Sequence, residues 1–256
     1  MSKPLIIAEK PDMGRKIAAA LDGPSSNKAG YIETKDYIVS WCVGHILRSL
    51  KPNEYNTAWE KWSLDNLPMF VTNWEVSVDE KKASQFKVLK ELLKSAPSVI
   101  HAGDPGREGQ LIVDEVLHFV KYKKPVQRIL LYSLDKVSIR QAMQNLKPND
   151  DFHPLYQAAI GRGIADWYLG MNGSVAYTLQ AQKNGYKGVL SVGRVQSPTV
   201  AIVVDRDNKI KNFVSHAYYT ISADFTFLGK TFKTNWKSNA STQIDWLDED
   251  KRLINK

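Results

Sequence analysis

Apolar positions along the chain change their spacing several times, and each change predicts an element. Leu5, Ile6, Ile7 and Ala8 form an unbroken apolar run that stops at Glu9 and Lys10. A run without alternation predicts a strand buried on both faces of a parallel sheet. Met13, Ile17, Ala20 and Leu21 then recur at helical spacing, behind a proline, Pro11, that a first helical turn tolerates. Tyr31–Thr34 and residues 37–41 predict two hairpin strands turned by Lys35 and Asp36. Residues 51–75, with Pro52, Pro68, Tyr55, Trp59, Trp62 and Trp74, predict an ordered, loop-rich excursion. Phe86, Leu89, Leu92 and Leu93 stripe a helix over 85–94.

Strand and helix continue to alternate after this. Val99–Ala102 predicts another buried strand, and residues 109–120 a helix with Ile112, Val113, Val116, Leu117 and Val120 on one face. A strand over 126–132 and a helix over 137–146 follow. Alternating strands and helices predict an α/β fold with a mostly parallel sheet and helices on both faces. Lys147, Pro148, Asn149, Asp150 and Asp151 mark a break, after which residues 155–181 and 195–211 read as helices. From Ala217 the period becomes two: Tyr219, Ile221, Ala223, Phe225 and Phe227 alternate, Gly229 turns the chain, and Phe232 to Trp236 return. That predicts an antiparallel hairpin opening a further domain. The expected divisions are 1–150, 151–214 and 215–256.

Composition narrows the class. A hydrophobic content of 43% and a charged content of 24% over 256 residues are those of a globular protein with a real core. The net charge of +8 favours a polyanionic partner. One cysteine, Cys42, excludes an intrachain disulfide and a Cys-rich zinc site. No segment approaches the roughly 20 apolar residues that span a bilayer. The expectation is a cytoplasmic protein with no membrane partner. The five histidines lack metal-ligand spacing and read as structural.

Two segments carry candidate chemistry. In the first, the apolar run ends in Glu9, Lys10 and Pro11; in the second, Val99–Ala102 runs into Gly103, Asp104, Pro105, Gly106, Arg107, Glu108, Gly109 and Gln110. Each reads as a strand that delivers acids to its carboxyl end and then turns into a helix, the edge where open α/β sheets bind ligands. Acids gathered there repel one another unless a cation sits among them, and hard oxygen ligands suit Mg²⁺. Asp104 read alone is also an ordinary helix cap. A third segment, Ser191, Val192, Gly193, Arg194, Val195, Gln196, Ser197 and Pro198, offers a backbone that can approach phosphate, one positive charge and neutral hydrogen-bonding groups.

These three segments, in this order, resemble the signatures of the type IA DNA topoisomerases, topoisomerase III branch, over nearly the whole chain. The resemblance implies a Rossmann-like Toprim domain, a helical DNA-binding domain and the start of a β-rich arch domain. It implies Mg²⁺ held by Glu9, Asp104 and Glu108, with Glu9 moving a proton at the leaving 3′-oxygen and Lys10 stabilising phosphate charge. It implies single-stranded DNA as partner, contacted by Trp62, Arg162, Trp167 and residues 191–196 (Ser191, Val192, Gly193, Arg194, Val195, Gln196), with Asp166 beside Trp167. The implied reaction is ATP-independent strand cleavage through a 5′-phosphotyrosine bond, strand passage and religation, without a nucleotide cofactor, at the nucleoid. No protein partner is implied.

The chain departs from the family pattern at named positions. The pattern Asp-x-Asp-x-Glu reads Asp104, Pro105, Gly106, Arg107, Glu108, so a carboxylate is replaced by Gly106 and weaker metal binding is expected. Val175 and Ile164 stand near positions where arginines are usual. None of the eleven tyrosines lies in the family's nucleophile segment. The expectation is therefore a fragment or truncated relative, inactive by itself. Two alternatives remain: a non-enzymatic single-strand-binding remnant, or another Toprim enzyme such as a nuclease or primase, which residues 193–198 disfavour.

Overall fold

The computed structural model describes residues 3–237, 246–248 and 251–254. The chain divides into two compact units, Met1–Ser197 and Pro198–Lys256. The first unit opens with β1 (Leu5–Ala8), α1 (Pro11–Ala20), β2 (Ser25–Lys28), β3 (Tyr31–Thr34), β4 (Ile38–Trp41) and β5 (Leu47–Ser49). It continues with the single turn α2 (Pro52–Tyr55), β6 (Val76–Val78), α3 (Ala83–Ser95), β7 (Val99–Ala102), α4 (Arg107–Phe119), β8 (Val126–Arg128), α5 (Lys136–Met143), β9 (Lys147–Pro148) and α6 (His153–Lys183).

Seven strands form one sheet in the order β2-β3-β4-β1-β7-β8-β9. The four central strands β4, β1, β7 and β8 are parallel to one another, and both flanks are antiparallel. β1 and β7 are buried at every position, which is why their sequences show no alternation. The core lies on both faces of the sheet. One layer joins Ile6, Ala8, Met13, Ile17, Ile100 and Ile139 under α1 and α5. The other joins Leu5, Ile7, Leu89, Leu93, Val113 and Val116 under α3 and α4.

One expected strand is shorter, and two regions gain detail. The strand expected over 126–132 ends at Arg128, because β9 offers it only two partners and Leu131 turns into the core while Tyr132 is left in solvent. Residues 51–75 are loop-rich as expected, but their aromatic residues have a purpose: Tyr55 and Trp74 pack edge-on against Trp167 of α6. The long helix α6 also lies on α4 through Leu111, Tyr156 and Ala159. Residues 153–197 therefore belong to the same compact unit as the sheet.

In the second unit, α7 (Gln196–Lys211), which starts at the end of the first unit, is followed by a hairpin of β10 (Ser222–Phe227) and β11 (Lys230–Asn235), turned at Gly229 with φ 75°. Phe225 and Phe232 stack across it. The parts of the expected β-rich domain at 238–245, 249–250 and 255–256 lie outside the described residues. No helix among the described residues is long and apolar enough to cross a membrane.

Candidate metal and nucleic-acid site

β1 and β7 are neighbours in register, with Ala8 opposite Ala102. The residues that leave their carboxyl ends are therefore delivered side by side. Glu9 is almost buried, and its Oε2 accepts the Asp104 backbone N–H at 3.2 Å. Lys10 lies over both acids, with Nζ 3.2 Å from Glu9 Oε1 and 3.8 Å from Asp104 Oδ2. Partial burial, then the Glu9 charge, raise the Asp104 pKa; hydrogen bonding to Glu9 raises that of Lys10. Asp104 does not cap α4: the cap position is Gly106, which supplies no side-chain bond. The capping alternative is thus removed, and the carboxylate is free for the site.

Of the three expected acids, two meet at this edge and the third has another partner. Glu108, in the first turn of α4, stands apart from the Glu9–Asp104 pair and meets His45, 3.6 Å from its Nε2. No group of three potential metal ligands is assembled among the described residues. The reason is local. Gly106 is extended at φ −163°, and α4 starts at Arg107, so Glu108 projects from the first helical turn while Asp104 stays on the strand end. A side chain at Gly106 would meet nothing within 4 Å, so the vacant carboxylate position is open space.

A buried arginine beneath this edge carries no role in the sequence reading. Arg128 is 1% exposed, and its guanidinium donates to the carbonyls of Gly103 (2.8 Å), Asp104 (2.8 Å) and His101 (3.2 Å) and to Gln110 Oε1 (2.8 Å). It thus pins the turn that bears Asp104. Gln110 and Asn149 both bond Asp114, and His101 accepts the Gly103 N–H. Burial holds the His101 ring well down, to about 3, and lowers Arg128 to about 10. The available signal was a lone arginine inside an apolar run, where a charge stays only if it is bonded on all sides.

The DNA-binding candidates separate into two sets. Arg194 is exposed, and its Nε lies 2.6 Å from Asp166 Oδ1 on α6; Arg162 lies 3.8 Å from Oδ2. The loop before Arg194 is docked along α6, where Ser174 Oγ accepts the Val192 N–H (2.9 Å) and Thr178 Oγ accepts that of Leu190 (2.9 Å). A side chain at Gly173 would crowd Val192, so the glycine permits this approach. Gly193 bonds forward to Ser197, with Ser191, Val195 and Gln196 exposed. Trp62 is also exposed. Trp167 is not: it is buried, with Nε1 on the Leu50 carbonyl at 2.9 Å, so it is a core residue and no platform for a base. Val175 is in the same core cluster, which explains the apolar residue there.

A cavity of about 350 Å³ lies between α4 and α6 within this unit. His45, Glu108 and Glu115 line it from the sheet side, and Arg162 and Asp166 from α6. Burial pushes the Glu115 carboxyl up to about 7.

Compared with known proteins, residues 4–134 match the Toprim domain and residues 150–256 match the DNA topoisomerase domain. The chain belongs to the type IA DNA topoisomerases. It is 41% identical to DNA topoisomerase 3 of Vibrio cholerae and 38% identical to DNA topoisomerase 3 of Salmonella typhimurium, each over 98% of its own length. Those matches cover 40% of each relative, so the chain spans about two fifths of their length. Full-length topoisomerase I from Thermotoga maritima shares the fold, with a TM-score of 0.55 and 24% identity over 91% of this chain and 35% of that one.

Proposed function

We propose that this chain forms the metal- and DNA-binding part of a topoisomerase III, serving ATP-independent cleavage, passage and rejoining of one DNA strand. The observation that carries the reading is the meeting of Glu9, Lys10 and Asp104 at the carboxyl edge of β1 and β7. Glu9 and Asp104 fit Mg²⁺: two carboxylates share one edge, burial and then the Glu9 charge raise the Asp104 pKa, and Mg²⁺ is commonly held by one or two carboxylates with water completing the shell. Bound there, the ion would neutralise and position a DNA phosphate. Glu108 would join only by leaving His45.

The chain's own groups supply the rest. Lys10 is placed to stabilise charge on a phosphate oxygen. Glu9, largely shielded from water, is placed to hold or take a proton at the 3′-oxygen. Arg194, Arg162 and the loop residues 191–196, of which Ser191, Val195 and Gln196 are exposed, hold a single strand by its backbone, and Trp62 is available for stacking. Residues 1–256 alone bind DNA without relaxing it, since none of their tyrosines sits in a nucleophile segment. The whole protein works on DNA in the cytoplasm, at the nucleoid.

The test is the Mg²⁺-dependent part of single-strand affinity. Anisotropy of a labelled oligonucleotide should show tighter binding with Mg²⁺, and Glu9→Gln with Asp104→Asn should abolish that gain while leaving metal-free binding intact. A Mg²⁺ gain that survives both changes would place the metal elsewhere. A second reading, a strand-binding protein without catalysis, is favoured by Gly106, which removes one ligand from the edge, and by the lack of a tyrosine in a nucleophile segment within residues 1–256.

A further inference from the structure

We infer that the edge of the sheet opposite Glu9 and Asp104 carries a second DNA site, a lysine-lined hollow that takes the phosphate backbone of a duplex segment. The inference rests on the reading that this protein acts on DNA. α3 and α4 both end at the edge where β7 and β8 begin. There Lys90, Lys94, Lys121, Lys123 and Lys124 line a hollow of about 290 Å³, together with Tyr122 and two aliphatic residues, and no carboxylate lines it.

Two of these lysines are committed to the fold. Lys124 Nζ donates to the carbonyls of Ala96 (2.7 Å) and Lys94 (3.2 Å), closing the end of α3, and Lys94 pairs with Glu91 at 2.8 Å. The ammonium groups of Lys90, Lys121 and Lys123 make no salt bridge or hydrogen bond among the described residues. Helix ends attract lysines through their dipoles, which accounts for the committed pair and for Lys121 at the end of α4, and not for Lys90 and Lys123.

Lys121 supplies an independent observation. α4 closes in a Schellman turn, with Tyr122 N–H on the Leu117 carbonyl (2.9 Å) and Lys121 N–H on that of His118 (3.0 Å). This places residue 121 in the left-handed region at φ 55°, where glycine is the usual residue. The backbone of the turn would be less strained with a glycine there. Cations gathered around an acid-free hollow repel one another, and a bound polyanion relieves that repulsion.

Lysine ammonium groups bind phosphate as point charges and read no base. Single-strand sites add exposed aromatic platforms; here Tyr122 is half-buried, with its hydroxyl on the Ala96 carbonyl at 3.4 Å. Charge without stacking suits the backbone of a duplex.

The test uses the full chain and a short blunt duplex, with a single strand and poly-glutamate as the other probes. Combining Lys121→Gly, Lys123→Gln and Lys90→Gln should lower the slope of log K against log salt for duplex by about 2–3, at roughly 0.9 per phosphate contact. Single-strand affinity should stay unchanged. Lys121→Gly relaxes the turn, so the melting temperature should not fall, and unfolding cannot explain the loss. Arg194→Ala should weaken single-strand binding and leave the duplex slope intact. An unchanged duplex slope in the triple variant would overturn the inference, as would loss of duplex binding in Arg194→Ala, or poly-glutamate binding as tightly as duplex. Duplex binding lost in the triple variant, in a protein that bound no single strand, would refute the single-strand reading and leave this one standing.

Discussion

Arg194 Nε lies 2.6 Å from Asp166 Oδ1, so the arginine of the docked loop is held by an acid of the helix beneath it. The hydrogen bond holds Asp166 below the usual carboxylate range and raises the already high Arg194. Both residues are exposed, so the pair is screened and weak. A phosphate that binds Arg194 must compete with that carboxylate.

Asp166→Asn should therefore tighten single-strand binding roughly two- to fivefold, the scale of one exposed ion pair. Anisotropy at fixed salt measures it. Weaker binding would show instead that the acid aims Arg194 at the DNA.

Glu115 predicts a pH dependence of stability. Its folded pKa of about 7 lies above the ordinary 4.5 because burial disfavours its charged form. A raised acid pKa means the folded state holds the proton more tightly than the unfolded state does. Its contribution is thus most favourable below 4.5 and is lost as pH rises through about 7. After allowance for partial exposure, the loss at pH 8 is on the order of 1–3 kcal/mol. Glu115→Gln should raise the melting temperature at pH 8 by roughly 2–8 °C and change it little at pH 4. Equal effects at both pH values would contradict a raised pKa.

Gly106→Asp should tighten Mg²⁺ binding. The position is extended and open, so the side chain fits without strain. It adds an oxygen ligand and a charge beside Asp104, and it can cap α4, which over glycine is worth only a few tenths of a kcal/mol. Calorimetry and melts with and without Mg²⁺ should show higher affinity and a larger metal-dependent shift, since a ligand bound only by the folded state stabilises it. No change in either would mean residue 106 does not face the metal.

The two candidate tryptophans should behave oppositely. Trp167→Ala empties a buried indole and breaks the bond to Leu50, at a cost of about 3–5 kcal/mol. Trp62→Ala should leave stability within about 0.5 kcal/mol and weaken single-strand binding. Denaturant titration with anisotropy separates the two. A stable Trp167→Ala variant that bound DNA poorly would restore the stacking role.

Much of the fold was legible because β1 and β7 are buried on both faces, so each reads as a short apolar run, broken only by His101 in β7, that leads to an acid. The helices were legible from their stripes, to within a turn at either end. β2 is exposed at every position and β9 is two residues long, so neither left a periodic signal. The pairing of Glu9 with Asp104 followed from strand order. The separation of Glu108 did not, because it depends on where α4 begins. Trp167 misled because sequence cannot say which face of a helix meets Tyr55 and Trp74. Arg128 went unassigned since its partners are mostly carbonyls, which have no sequence signature.

The central claim is that the loop bearing Arg194, laid along α6, holds single-stranded DNA by its phosphates. Its most direct test is the salt dependence of single-strand affinity in the parent chain and in Arg194→Ala. The account predicts weaker binding of every sequence tried, with the slope of log K against log salt reduced by about 0.7 for one lost phosphate contact. An unchanged slope, or a loss confined to one base sequence, would contradict it.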